Sequence, residues 1–584
     1  MGKILDKLLS KDIFIMSFIF LCLMIAFAPS YQFDYFRHDD WASACWDRIS
    51  INTHHLFGNS VLNEFRPYTM IFIYYSELFT EYLSGAKIVK IATISIFSLS
   101  SFLLYKWLRL FNINSFYSLF LAVVLFVLPP MQVMSSTYQY FFMATPILLS
   151  AITLSIVWDI QNKNFTNINY IFAFILFIQF ITFITFYPLF IIYSTIISLL
   201  IFYLYRKYKK NNSEINAKRF MYISAFLLYF TAITAYPPSA MYIWFLLSIP
   251  LLMYFKSNQK NLISNFALKV FIFSAFTMII YFILGRFFAY ILGIDTNHAR
   301  GMSLSSDFEK IFFHTLDTFR ISSNLWDIKQ YFKTEFFWKN YDMLIITFSL
   351  FLISLFAIYK KNNNYKTGFI IFISVSSLVF FTIAPVVLSN NGATMYRYLI
   401  ALTPLAGFIF VWSISIFYSL FPKIKYENYI VGFFAVIFFI GSIYLSNQTI
   451  LKNLVEPNQY EMNFISNFLD EKIIPKIKNK EKVVIHHVQG KVNYTKNRYS
   501  LDEYNVSMNI FKWPVLPSIV MLLKDKGIYT QSRTCFPSKW EPDHGVFNLN
   551  WGSLELFTNL DSQESNALQK EDVLIDMGKL DFID

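Results

Sequence analysis

The chain has 584 residues, a formal net charge of +12 and only 15% charged residues, whereas 56% of its residues are hydrophobic and 20% are aromatic. A soluble core does not need so many apolar residues, and repeated apolar runs near the ~20 residues that span a bilayer core predict a polytopic membrane protein. Because the lysines and arginines lie mostly in short loops between these runs, the charge indicates membrane topology, and nucleic-acid binding is not expected.

About thirteen apolar segments are predicted to form transmembrane helices, so the predicted fold class is an all-α polytopic membrane protein. Their approximate bounds are 13–29, 88–105, 114–129, 139–157, 167–186, 189–205, 219–236, 238–254, 267–293, 343–359, 367–387, 396–420 and 428–446. The basic start of the first segment also resembles a secretory signal. Because many spans follow it, we interpret it as an uncleaved anchor.

Loop charges predict the orientation of the chain. Basic loops such as 206–219 and 360–366 fall on one side, whereas the connections on the other side contain one basic residue between them, Arg397. The positive-inside rule therefore predicts a cytoplasmic N-terminus and a C-terminus outside the cytoplasm.

This count requires that residues 67–83 do not cross the membrane. Glu77 and Glu81 lie beside an apolar stripe, which predicts an amphipathic helix on the outer membrane surface. The alternative is that this segment crosses and that another predicted span is wrong.

Two domains are predicted. Residues 1–446 form a transmembrane domain with outer loops at 30–87 and 294–342, and residues 447–584 form a soluble domain outside the cytoplasm. The second domain mixes strand-like runs at 482–488 and 572–578 with a helix-like run, which predicts a small α/β fold.

Motifs for nucleotide binding and common hydrolases are missing from the sequence: there is no P-loop, no HExxH and no Gly-x-Ser-x-Gly. The segment "FDYFRHDDWASACWD" at 33–47 instead places Asp39 and Asp40 just beyond the first apolar run. Carboxylates at the boundary between hydrocarbon and water can remove a proton from a hydroxyl group, or hold a cation, while the lipid tail of the substrate stays in the bilayer. The alternative interpretation is a solvated loop of ordinary charge.

The order of motifs resembles a known superfamily. Asp39 and Asp40 follow the first span, then come Arg66-Pro67, an amphipathic segment ending in "ELFTEYLSG", and a span that starts near Lys87. This order resembles the membrane-embedded GT-C glycosyltransferases, and it is most similar to the bacterial serotype-converting O-antigen glucosyltransferases of the Gtr type. The turn "TAYPPSAMYIWF" at 234–245 is also similar to a tyrosine-containing turn of that family.

The resemblance implies transfer of a sugar, with glucose as the expected one, from a polyprenyl-phosphate donor to O-antigen or another surface glycan. The acceptor is a lipid-linked glycan, and the reaction takes place on the periplasmic face of the bacterial inner membrane. Asp39 would be the general base, and Asp40 would lie beside it. No cofactor is expected, except for a divalent cation that these two carboxylates would hold. Inversion and retention at the sugar carbon both stay open.

Substrate-binding residues are also implied. The departing lipid phosphate needs a cationic partner, and arginine binds two phosphate oxygens at once, so the candidates are Arg66, Arg286 and Arg397. Snorkelling to the interface is the alternative role of Arg286. Tyr68, beside the Arg-Pro pair, and Trp41, which can stack on a sugar ring, complete the set. A lipid-linked glycan flippase or transporter and an O-antigen polymerase are the alternative functions.

The predicted orientation can be tested with a reporter enzyme that is active only outside the cytoplasm. Fused after residue 450 it should be active, and fused at residue 212 it should be inactive, because the basic loop at 206–219 is retained in the cytoplasm. The reverse pattern would mean that residues 67–83 cross the bilayer.

Overall fold

A computed structural model describes most of the predicted membrane domain and parts of the C-terminal region. The described residues are 12–35, 66, 68–69, 83–165, 168–172, 174–176, 188–211, 213–254, 260–291, 307–322, 325, 342–362, 365–387, 395–418, 427–478, 483–488, 518–519, 521–523, 525–528, 539–541, 544–549, 552–557 and 572–576.

The described part of the chain is predominantly helical. In chain order its α-helices are α1 (Asp12–Ala26), α2 (Ala28–Gln32), α3 (Ala86–Leu110), α4 (Ser115–Val124), α5 (Pro129–Ser136), α6 (Phe141–Gln161), α7 (Pro188–Asn211), α8 (Glu214–Ala235), α9 (Pro237–Ala240), α10 (Tyr242–Leu252), α11 (Lys260–Ile291), α12 (Phe308–Ser322), α13 (Asp342–Asn362), α14 (Tyr365–Val387), α15 (Leu402–Tyr418), α16 (Glu427–Ile450), α17 (Glu456–Phe468) and α18 (Ile474–Lys478). Short 3₁₀ turns cover Leu83–Gly85, Tyr138–Tyr140 and Tyr396–Tyr398.

Among the described residues, five helices are long and apolar enough to cross a membrane, and six if a bent helix pair counts as one span. Four further apolar helices are shorter, including Asp12–Ala26 and Leu402–Tyr418. These helices are compatible with a multi-pass membrane protein. The count of thirteen crossings stays a prediction.

The bent pair is formed by α4 and α5, which meet at 56°. Pro129 and Pro130 explain the break, because a residue before proline avoids the helical region and Leu128 is accordingly extended. Proline is tolerated in the first turn of the new helix, where its missing N–H has no intrahelical acceptor. The predicted span 114–129 therefore ends in a sharp turn, and the turn and α5 are buried.

Gly407 of α15 lies against this turn. A methyl group added at Gly407 would lie 3.0 Å from Leu125 Cδ2 and 3.4 Å from Leu128 Cδ1. Since these distances are close to steric contact, the glycine allows α15 to approach the broken helix. This approach places the break in the middle of the bundle.

One end of the bundle carries paired charges. Lys106, near the end of α3, contacts Asp12, the first residue of α1, at 2.7 Å. Lys218 and Lys163 contact Glu214 at 2.7 Å and 3.7 Å, and the hydrogen bond from Lys218 holds the pKa of the Glu214 carboxyl below its ordinary value. Several of the basic loops predicted to be cytoplasmic therefore meet at one end of the bundle. The membrane side of that end stays a prediction.

The predicted domain boundary at residue 447 lies within α16, and the division into two domains stays a prediction. Helical turns continue without a break from α16 through two π-helical turns, Leu451–Val455 and Leu469–Ile473, to Lys478. Five strands follow: β1 (Val483–Val488), β2 (Lys539–Glu541), β3 (His544–Leu549), β4 (Gly552–Phe557) and β5 (Asp572–Asp576). They pair in the order β2-β3-β4-β1-β5, with β1 parallel to both β4 and β5 and the other pairs antiparallel. A separate α/β domain stays a prediction.

Substitution of two buried tryptophans tests how much one hydrogen bond stabilises the bundle. The Trp107 indole N–H donates to the Leu246 carbonyl at 2.9 Å, joining α3 to α10, whereas the Trp244 indole N–H has no hydrogen-bond partner among the described residues. Trp107→Phe should therefore lower the melting temperature in detergent more than Trp244→Phe. The expected difference is about 1 kcal/mol in unfolding free energy, since the first change leaves a buried carbonyl without its donor. Equal losses of melting temperature would show that packing, and not this hydrogen bond, sets the contribution of each tryptophan to stability.

Candidate functional site

The candidate site begins where α8 ends. Tyr236 is extended, with φ −159° and ψ 101°, because Pro237 follows it. The last carbonyls of a helix have no intrahelical donor. The carbonyl of Ala235 instead accepts a hydrogen bond from the Thr69 hydroxyl, which lies one short turn after Arg66. This contact attaches the end of the first outer segment to the bundle.

Arg66 lies over the aromatic ring of Tyr236 at the same break. Its guanidinium carbon is 5.3 Å from the centroid of the Tyr236 ring, within the range of a cation–π interaction. Tyr236 itself is buried, and its ring packs against Phe142 at 5.7 Å and against Tyr398 at 6.3 Å. Tyr236 is therefore held in place on its other sides.

Arg397 reaches the same tyrosine from a third element, the 3₁₀ turn before α15. The Tyr236 hydroxyl donates to the Arg397 carbonyl at 3.4 Å. The Arg397 guanidinium donates to the Tyr140 hydroxyl, and its carbon lies 5.5 Å from the Tyr140 ring and 5.4 Å from the Tyr398 ring. We call Arg66, Tyr140, Tyr236, Arg397 and Tyr398 the arginine–tyrosine cluster. Arg66 contacts the buried Tyr236 ring with its guanidinium group, whereas Arg397 contacts Tyr236 through its backbone carbonyl and directs its guanidinium group to Tyr140 and Tyr398.

A second polar contact lies where the acidic segment begins. Lys90 of α3 is 1% exposed, donates to the Tyr35 carbonyl at 3.1 Å and lies 3.5 Å from the centroid of the Tyr35 ring. Nearby, Lys87 contacts Asp34 at 3.0 Å. A buried ammonium is costly unless it is well paired, so the Lys90 contacts attach Tyr35 to α3. The half-exposed ion pair of Lys87 and Asp34 adds little to this attachment.

Both contacts lie at the same end of the bundle. The 3₁₀ turn Tyr138–Tyr140 packs against α3, and α5 packs against α2 and against the turn that carries Arg397. The chain enters the segment 36–65 from Tyr35 and leaves it at Arg66. The two attachment points of this segment are therefore on neighbouring parts of the fold.

Three predicted substrate-binding residues are found here. Arg66 and Arg397 belong to the arginine–tyrosine cluster, and Tyr68 is buried in the helical turn between Arg66 and Thr69. Arg286 lies elsewhere, on α11, with its guanidinium carbon 5.4 Å from the Phe282 ring on the same helix. The structure thus brings Arg66 and Arg397 together and gives Arg286 a different setting.

The predicted catalytic residues Asp39 and Asp40, and the predicted sugar-stacking Trp41, lie outside the described residues. Within the described ranges, no group of three or more histidine, cysteine, aspartate or glutamate side chains is placed to hold a metal ion. The predicted cation site at Asp39 and Asp40 is therefore untested.

Sequence reasoning missed Tyr140 and Lys90. Lys90 had a usable signal: lysines at the outer end of a predicted span run against the positive-inside rule, and an ionisable residue inside a span is usually functional or paired. Tyr140 had none, because aromatic residues are common throughout this chain.

Comparisons with known proteins found no family model that matches the chain and no curated protein that is similar to it. The likeness to GT-C glycosyltransferases therefore depends on the motifs and stays a prediction.

The hydroxyl groups of the cluster can be tested as a pair. Tyr140→Phe removes an acceptor from a charged guanidinium, a type of bond that contributes about 1.5–3 kcal/mol. Tyr236→Phe removes a longer bond between neutral groups, 3.4 Å in length. The melting temperature in detergent should fall further for Tyr140→Phe, while both proteins keep the same helix content by circular dichroism. A larger loss in Tyr236→Phe would contradict this ranking.

Proposed function

We propose that the chain is a GT-C type glycosyltransferase that moves a hexose, with glucose expected, from a polyprenyl-phosphate donor to a lipid-linked surface glycan. The observation that carries the proposal is that Arg66 and Arg397 both contact Tyr236, Arg66 with its guanidinium group and Arg397 with its backbone carbonyl, next to the two attachment points of the segment that contains Asp39 and Asp40. Two cations beside a pair of carboxylates suit a reaction in which an alcohol is deprotonated and a phosphate departs.

The bond changes assign a role to each group. The Asp39 carboxylate accepts the proton of the acceptor hydroxyl, whose oxygen forms the new bond to the anomeric carbon. The bond between that carbon and the phosphate oxygen breaks, and its electron pair leaves with the polyprenyl phosphate. Arg66 and Arg397 stabilise the negative charge that develops on this phosphate.

The attachment at Tyr35 supports the role of Asp39. Four residues of extended chain span at most about 14 Å, so Asp39 acts within that distance of a residue that α3 holds in place. Positioning of this kind contributes to catalysis because the reacting groups need not be ordered during the reaction.

The proposal includes the finer features of the architecture. Thirteen segments cross the bacterial inner membrane, the N-terminus is cytoplasmic, and the arginine–tyrosine cluster faces the periplasm. The mixed sheet of β1 to β5 belongs to a periplasmic α/β domain that follows the long C-terminal helix. The breaks after Leu128 and Ala235 support this arrangement, since irregular backbone at membrane depth is tolerated where protein buries it.

Deletion of the gene, followed by mass spectrometry of the surface polysaccharide, tests the reaction. Loss of one hexose per repeat unit would support the transferase. Shortened chains would indicate a polymerase, and loss of the polysaccharide would indicate a flippase.

Complementation of the deletion strain tests the residues. Asp39→Asn should abolish the modification, because loss of a general base lowers the rate by about 10²- to 10⁴-fold, and Asp40→Asn should impair it. Asp47→Asn is the control within the same acidic segment and should remain active. Arg397→Gln should lose activity, whereas Arg286→Gln, outside the cluster, should keep it. Full activity in the Asp39→Asn, Asp40→Asn double variant, at normal membrane levels, would refute the mechanism.

A further inference from the structure

The helix α12 (Phe308–Ser322) lies within the predicted outer loop 294–342 and has three distinct faces. Its buried residues are Thr318, Ile321 and Ser322. At about 100° per residue, Phe308, Phe312 and Leu316 project within about 80° of one another, on an arc next to this buried face. The third arc carries the charged residues Glu309, Lys310, Asp317 and Arg320, and Phe313, which is 57% exposed, lies among them.

The buried face of α12 packs near one end of α15. The helix packs against α14 and α15, and just beyond it Leu325 reaches to 3.8 Å from the position of a methyl group at Gly407. Gly407 is the sixth residue of α15, which places it about 7.5 Å along the helix axis from the first residue at 1.5 Å per residue. The end of α12 is thus near one end of α15, within two turns of it.

The apolar arc is exposed. The side chain of Phe308 is 85% exposed and that of Phe312 is 59% exposed. On the neighbouring arc, Arg320 and Asp317 form an ion pair at 3.1 Å. A helix with one packed, one apolar exposed and one charged face has the pattern of a helix that lies in the plane of a membrane interface.

The exposed apolar surface does not end at α12. Phe369, Ile370, Ile373 and Phe380 of α14, against which α12 packs, are also exposed, and α14 is one of the helices long and apolar enough to cross a membrane. Large exposed apolar surfaces that continue from one helix to the next need a common apolar solvent.

We propose that α12 is an interfacial helix, with Phe308 and Phe312 inserted among the acyl chains of the leaflet at that end of the bundle. Its charged arc faces water and the lipid headgroups. This inference is independent of the proposed glycosyltransferase activity.

The test uses the full chain in lipid nanodiscs, with the three native cysteines replaced. Each protein carries one introduced cysteine, from Phe308→Cys, Phe312→Cys or Asp317→Cys, and one nitroxide spin label is attached to it. Oxygen concentrates in the acyl region, whereas a nickel chelate stays in water. Oxygen should accelerate the spin relaxation of the labels at 308 and 312 at least several-fold more than the chelate does. For the label at 317, the chelate should have the larger effect. Phe434→Cys, on the exposed face of α16, is the lipid-facing control.

Each other outcome overturns the inference. Relaxation of the 308 and 312 labels by the chelate would place this face in water. Shielding from both reagents would mean that protein covers it. Phe308 is so exposed that its replacement removes little packing, so this position alone decides the question where Phe312→Cys does not fold.

Discussion

The structure depends on one constraint: every backbone group freed by a break in an apolar bundle needs a partner inside the protein. The broken ends satisfy one another here. The Ala235 carbonyl accepts from Thr69 and the Arg397 carbonyl accepts from Tyr236, while the Gln132 side-chain amide donates to the Val127 carbonyl at 2.8 Å. The Thr69–Ala235 and Tyr236–Arg397 pairs are 166 and 161 residues apart in the chain, whereas Gln132 and Val127 are only 5 residues apart. The first two contacts therefore require distant parts of the chain to lie side by side.

This meeting of helix ends explains why the polar groups of the arginine–tyrosine cluster lie together at one end of the bundle. Tyr236 donates to a carbonyl at a broken helix end, and its ring also contacts the Arg66 guanidinium. The same residue therefore stabilises the break and positions a charge. Lys90 is also paired inside the protein, because the carbonyl and the ring of Tyr35 stabilise its buried ammonium. Together these contacts attach the acidic segment to the bundle at both ends.

The rest of the bundle is held by contacts of a different kind. Hydroxyl groups on small side chains bridge helices, as when Ser101 donates to the Ala122 carbonyl at 2.8 Å and Ser354 donates to the Ser413 carbonyl at 3.0 Å. Small polar residues allow close approach in a lipid environment, where burial of apolar surface does not drive association. At the end opposite the arginine–tyrosine cluster, Trp107, Trp158 and Phe266 pack with ring centroids 4.9–5.8 Å apart. Other helices, such as α11 and α12, carry several exposed apolar side chains.

The sequence by itself indicated the apolar segments that form helices among the described residues, and the turn at 234–245 where a proline pair follows Tyr236. Both follow from local physics: hydrocarbon length and the steric clash between a proline ring and the preceding residue. It also indicated Arg66 and Arg397 as substrate-binding candidates, through motifs. Only the tertiary structure decided that these two arginines meet at Tyr236 while Arg286 does not join them, and that the helix after α16 runs on to Lys478. Such pairings depend on how distant helix ends pack, and no local pattern of residues encodes that packing.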